Sequence, residues 1–377
     1  MSSARDFAMH CRWLQAELLR GAPLCDHPLL HDADFWLQAR REGVMALLWH
    51  RLHRQVALPE ARVEEIAEAL REQAVERAAL VRAAGRLLTM LHEAEIAVVP
   101  LRGLTLAERL YPRTDLRPQS DIDLLVRPQA MEAALELLRG QGFAPINDWQ
   151  PHLLARGTVL VDLHDEPLGA DRIRCWRRLT PLSVETFFDR ARPGRVAGAP
   201  ALVIDDALQL PWLCFHAAKH SFERMIWLWD IALLCRRITN DDGWGQAEET
   251  IRFLGLQRPC WFALGYAAAN LAAPVPPELL RAIRPAMDWR ERALFQRHLR
   301  HEQIPFLAER LFARMLPGRA DRLAFWRETI VPRREVREQI AAGGCVRCTF
   351  IRTRLSQLMQ ALSLFGAELR GWRKLGG

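Results

Sequence analysis

The stretch from Val99 to Pro128, VPLRGLTLAERLYPRTDLRPQSDIDLLVRP, constrains this chain more than any other. It joins an apolar strand, a Gly-led helix and a second strand carrying two aspartates two residues apart. Side chains alternate faces along a strand, so Asp121 and Asp123 point one way while Ile122 and Leu124 point the other. Two carboxylates on one face repel each other unless a divalent cation sits between them, and hard oxygen ligands suit Mg²⁺ or Mn²⁺. Pairs at this spacing also occur on solvated strands, so the neighbouring segments have to decide.

Upstream, Ala97 to Leu101 (AVVPL) reads as a short buried strand, and Gly103 opens a helix over Leu104 to Leu110. A glycine there lets a phosphate approach the backbone, and the helix start offers free N–H donors, although a tight strand-to-helix turn would use the same residue. Downstream, Val159 to His164 (VLVDLH) reads as a strand whose one mid-strand charge is Asp162. An acid in an apolar strand is costly to bury alone, and a cation shared with Asp121 and Asp123 would supply its partner.

The rest of the chain arranges itself around this segment. Residues 1–94 read as helical, with apolar residues at spacings of three and four from Val63 to Leu91. Residues 95–204 mix strands and short helices and form the expected catalytic core. Residues 205–330 are helical again, punctuated at Pro259, Pro274, Pro276, Pro277 and Pro317. The expectation is an α+β fold, a small mixed β-sheet flanked by N-terminal and C-terminal helical regions. With 377 residues, 50% hydrophobic and 26% charged, the chain has enough apolar material for sizeable cores.

The residues RG(x)LAERLYP, LRPQSDIDLLV, VDLH and HAAKHSFERMIWLWDIALL (His216 to Leu234) together resemble an uncharacterised bacterial nucleotidyltransferase family of the DNA polymerase β-like superfamily. The resemblance covers about residues 95–238, and the run around Ser120, Asp121 and Asp123 is its most specific part. It implies a mixed sheet on which Asp121, Asp123 and Asp162 hold two metal ions, Mg²⁺ or Mn²⁺. It also implies that Arg102 and Gly103, where the family has Lys-Gly, meet the terminal phosphates of an NTP, with ATP the expected nucleotide. Arg117 and Ser120 match the family pattern beside the aspartates. Lys219, with His216 or His220, is expected to face the sheet and touch phosphate. The chain departs at Leu104, where the superfamily has Gly or Ser, and at Asp165, where the family has an aromatic.

Other readings of the same residues stay open. His216 and His220 share a helix face at a zinc-binding spacing, but the Glu of a metalloprotease is replaced by Ala217, and a partly buried helix with Asp230 paired to Arg224 or a His is equally consistent. Arg113 and Arg117 would make a fork for a triphosphate or a solvated loop. Cys345 and Cys348 form a Cys-x-x-Cys pair with no second motif, and the eight scattered cysteines suit a reducing cytoplasm. Most of the net charge of +7 falls in residues 331–377, where Ile351, Leu355, Leu358, Leu362 and Phe365 form one helical stripe. That basic amphipathic segment is expected to pack on the protein, or to make a weak contact with an anionic surface. No membrane span and no signal segment is expected, because Met1 to Arg12 has no apolar centre.

The function implied is transfer of an NMP from an NTP to an acceptor hydroxyl with release of pyrophosphate. Asp162 is the candidate general base or ligand of the nucleophile's metal. The acceptor is expected to be a peptide, protein or small molecule rather than a nucleic acid. A non-catalytic nucleotide-binding scaffold and a DxD-type glycosyltransferase are the alternatives. A nucleic-acid-modifying transferase is a third.

Overall fold

The apolar run Ile122–Val126 forms β2, and a five-stranded sheet is built around it. The structure is a computed structural model that describes residues 2–22, 27–147, 150–169 and 174–330. The other strands are β1 (Val98–Pro100), β3 (Ala144–Pro145), β4 (Leu153–Arg156) and β5 (Val159–His164), in the order β1-β2-β5-β4-β3. β2 and β5 run parallel, with Asp123 opposite Asp162, and the remaining pairs are antiparallel. The fold is therefore a mixed α+β one, with helices flanking the sheet.

Strand alternation separates the two faces. Ile122, Leu124 and Val126 join Val161, Leu163 and Leu154 in one buried cluster. It is covered by the C-terminal half of α4 (Glu60–Glu93), through Leu80, Ala84, Leu87, Leu88 and Leu91, and by α6 (Met131–Gly140), through Ala134, Leu135 and Leu138. These helical residues recur at three and four, so each helix offers the sheet one apolar stripe. Burying that cluster leaves Asp123, Asp162 and His164 on the opposite face. α5 (Gly103–Leu110) follows β1 and packs against β2.

Three shorter helices, α1 (Ser2–Arg20), α2 (Ala33–Glu42) and α3 (Met45–Leu52), precede α4 and pack on one another. After the sheet come α7 (Val184–Arg190) and a hairpin of β6 (Ala191–Val196) and β7 (Ala199–Ile204). The next helices are α8 (Asp206–Lys219), α9 (Met225–Arg237), α10 (Asp241–Phe253) and α11 (Gln257–Leu271), followed by α12 (Pro277–Ala282) and α13 (Trp289–Leu299). The Asp205 side chain accepts from Leu208 N at 2.8 Å and starts α8. The start of α9 is held instead from a distance in sequence, by Glu42 accepting from Met225 N at 2.7 Å. α9 packs against α5, which brings the helical layer to the sheet.

By its internal packing the chain divides into two units, one of residues 1–168 and 180–303 and the other of residues 169–179 and 304–377. The sheet, the helices before it and α8–α13 all belong to the first. In the second, α14 (Leu307–Met315) and α15 (Arg319–Ile330) pack together, and Trp176 meets Phe312 edge-on at 5.9 Å. Among the described residues no helix is long and apolar enough to cross a membrane. The amphipathic stripe after Ile351 and the Cys345/Cys348 pair lie outside the described residues.

Candidate active site

The parallel register of β2 and β5 places Asp123 directly beside Asp162. His164, two residues on, shares Asp162's face and bridges the pair, with its Nε2 at 3.1 Å from Asp123 Oδ1 and 3.4 Å from Asp162 Oδ2. Ligand atoms of these three residues all lie within 4.8 Å of one another, and among the described residues no other group of three or more is so arranged. In the sequence His164 figured only as the end of VDLH; strand alternation from Asp162 is the signal that would have placed it here.

Arg102 completes the cluster. It stands just before α5 with φ at 53°, a backbone region costly for a residue with a Cβ, by about 1–3 kcal/mol. From there its Nη2 donates to Asp123 Oδ1 at 2.8 Å. Its Nη1 lies 2.6 Å and 3.0 Å from the two ring nitrogens of His216 on α8. Burial opposes charge on Asp123, yet Arg102 and His164 outweigh it and hold the carboxyl down to about 2. Asp121 is driven the other way, up to about 6, by burial and by the Asp123 charge; Arg102 and a hydrogen bond from Ser120 Oγ at 3.2 Å only partly offset this. Asp162 is likewise raised by burial, with His164 opposing the shift and Asp123 adding to it. Burial favours neutral His164, but Asp123 and Asp162 together raise it.

A sequence model of a family described as uncharacterised nucleotidyltransferase matches residues 30–272, which takes in the whole sheet, Arg102 and α8. The chain belongs to that family. Neither the curated proteins nor the solved structures contain a match to this nucleotidyltransferase.

The other residues singled out in the nucleotidyltransferase sequence divide between the cluster and the scaffold. His216 and His220 meet edge-on with ring centres 4.8 Å apart, and Trp227 lies 5.1 Å from each. Burial keeps both imidazoles neutral, helped by Arg102 and Lys219, and His220 is lowered to about 4. His216 is engaged by Arg102, whereas His220 meets His216 and Trp227. Lys219 Nζ donates to Leu168 O at 3.0 Å, just beyond β5.

Gly103 and Arg117 sit differently from the sequence expectation. A Cβ on Gly103 would lie 2.6 Å from Gln119 Nε2 and 2.7 Å from Gln119 Cδ, so the glycine makes room for that side chain at the helix start. Gln119 in turn donates to Asp121 O at 2.6 Å, tying the helix start to the aspartate segment. Arg117 is a buried strut rather than half of an exposed phosphate fork. Its Nε and Nη2 donate to both carboxylate oxygens of Asp230, which also accepts from Tyr111 Oη at 2.6 Å. Asp230 thus pairs with Arg117, not with Arg224 or a histidine. Arg113 pairs with its neighbour Asp115 on the surface.

Proposed function

We propose that this nucleotidyltransferase uses Asp121, Asp123 and Asp162 to bind a divalent cation, Mg²⁺ or Mn²⁺, together with an NTP, and moves the NMP to an acceptor hydroxyl with loss of pyrophosphate. The observation that supports it is the cluster itself. Asp123 and Asp162 stand side by side on paired strands, and the nearby Asp121 is pushed toward its neutral form by burial first and then by their charge. Three carboxylates crowded together favour positive charge beyond that of Arg102, and an oxygen-rich donor set fits a hard cation. His164 adds a nitrogen donor that Mn²⁺ tolerates better than Mg²⁺ does. When bound, such a cation supplies Lewis-acid charge at the phosphate oxygens and at the attacking hydroxyl.

The chain's own residues then have separable tasks. Asp162, the least enclosed member of the Asp123/Asp162 pair and raised in pKa, accepts the proton of the acceptor hydroxyl. Arg102 and Lys219 neutralise the charge that grows on the departing pyrophosphate, and Ser120 orients Asp121. Neutral His216 holds Arg102 without competing for the anion. ATP is the nucleotide to try first.

The test is turnover of each α-labelled NTP with Mg²⁺ or Mn²⁺ and an extract supplying acceptors, comparing the native chain with Asp123→Asn. Transfer of label that requires the metal and falls at least about 10³-fold in the variant, as removal of a central charge-stabilising group predicts, supports the reading. Label transfer that survives Asp123→Asn intact, or proceeds equally in chelator, refutes it.

A further inference from the structure

Arg102 occupies the carboxylate that a cation needs. Its Nη2 is on Asp123 Oδ1 at 2.8 Å, and the same oxygen receives His164 Nε2 at 3.1 Å. A divalent cation approaching Asp123 therefore meets the like charge of the guanidinium within a half-buried site where water screens little, so the two compete for the carboxylate. The Arg102 side chain is also poised for a second anion. Its Nε is buried without a hydrogen-bond partner, and it borders the acid cluster that the other donor of the same guanidinium already touches. Its Nη1 rests on neutral His216, which offers a lone pair but no charge. The strained backbone at φ 53° aims the side chain into the cluster.

We propose, building on the reading above, that Arg102 is a positioning residue that couples the metal to the nucleotide. In the nucleotide-free protein Arg102 holds Asp123. When phosphates arrive they satisfy Nε and draw the guanidinium off Asp123, and the carboxylate becomes available to the cation. The two ligands therefore bind cooperatively, each raising the affinity for the other by the same factor. Free metal alone binds weakly, and the site assembles only around a nucleotide.

The experiment measures Mn²⁺ binding by the loss of its free-ion paramagnetic resonance signal, with and without α,β-methylene ATP, for the native chain, Arg102→Gln, Arg102→Lys and Lys219→Gln. Losing a charge-assisted hydrogen bond that competes with the ion should tighten Mn²⁺ binding to Arg102→Gln alone by roughly 10- to 100-fold. The tightening produced by the analogue should shrink correspondingly. Arg102→Lys should fall between the two. Lys219→Gln removes a similar charge that does not touch Asp123, and should change Mn²⁺ affinity by less than about threefold. Circular dichroism of each variant confirms folding, and Arg102→Lys keeps the test usable where Arg102→Gln does not fold. Equal Mn²⁺ affinity in the native chain and the Arg102 variants overturns the coupling while leaving metal-dependent transfer intact. An equal gain in Lys219→Gln overturns it too, since the effect is then general charge. Absence of Mn²⁺ binding to any form, with or without the analogue, overturns the metal-dependent reading and the coupling with it.

Discussion

Replacing Asp230 by Ala tests whether Arg117 serves the fold or the substrate. Asp230 is 1% exposed and accepts three hydrogen bonds from Arg117, at 2.7, 2.9 and 3.2 Å, and one from Tyr111. Burial opposes charge on Arg117, and Asp230 more than restores it. Removing the carboxylate leaves a guanidinium buried without its counter-charge and a phenol without its acceptor. Breaking a buried pair from one side costs about 3–5 kcal/mol, which at about 2.1 cal/mol/K of unfolding entropy per residue lowers the Tm of a 377-residue protein by roughly 4–6 °C. The apolar double replacement, Arg117→Met with Asp230→Leu, removes both charges together and should recover most of that loss, since the pair repays little more than its own desolvation. Thermal unfolding followed by circular dichroism gives the shift, and equilibrium dialysis of a labelled NTP gives the affinity. The reasoning requires a large fall in Tm for Asp230→Ala, recovery in the double variant and unchanged nucleotide affinity in the double variant. A fall of less than about 1 kcal/mol, or a stable double variant that no longer binds nucleotide, would refute it and return Arg117 to the phosphate site.

Three further outcomes are expected. His298 and His301 are lowered by burial, with Arg12 adding to it, to about 3 and about 4, so both are neutral in the fold while their unfolded counterparts titrate near 6.5. Their contribution is complete above pH 6.5 and is lost as pH falls toward 4, at up to about 1.4 kcal/mol per pH unit for each ring; urea midpoints should drop between pH 7 and 5, less steeply in His298→Phe, and an identical slope in that variant would disprove the assignment. Gly103→Ala forces Gln119 off the helix start and should cost roughly 1–3 kcal/mol, which adding Gln119→Ala relieves; chemical denaturation of the two variants checks this, and no relief would mean that the glycine serves something else. Lys219→Ala should weaken NTP binding about tenfold with little change in Tm, as expected of a cation at a cleft edge, and unchanged affinity in dialysis would remove Lys219 from the phosphate contacts.

The acidic site was legible for a simple reason. Strand alternation is a short-range rule, so Asp123 and the isolated Asp162 of VDLH could be placed on one face of the sheet without any tertiary information, whereas Asp121 precedes β2 and stands outside the group of Asp123, Asp162 and His164. The same rule applied to His164 would have added the imidazole that now bridges Asp123 and Asp162. Arg117 shows where such rules stop. Its partners Tyr111 and Asp230 lie on different elements, and nothing local distinguishes an arginine aimed at a phosphate from one aimed at a carboxylate more than a hundred residues away. Gly103 shows it again, since the close approach that excludes a Cβ comes from Gln119 and not from a ligand.

What the amino-acid sequence determined by itself was the alternation of helix and strand, the apolar stripes of α4 and α6 and the identity of the acids, because periodicity and residue chemistry act within a few positions. What only the tertiary structure decided was which charges meet. The parallel pairing of β2 with β5 put Asp123 beside Asp162, and α8 brought His216 to the guanidinium that also holds Asp123. Contacts between distant segments depend on how whole faces are buried against one another, and burial then sets the cost of each unpaired charge and so the partner it takes.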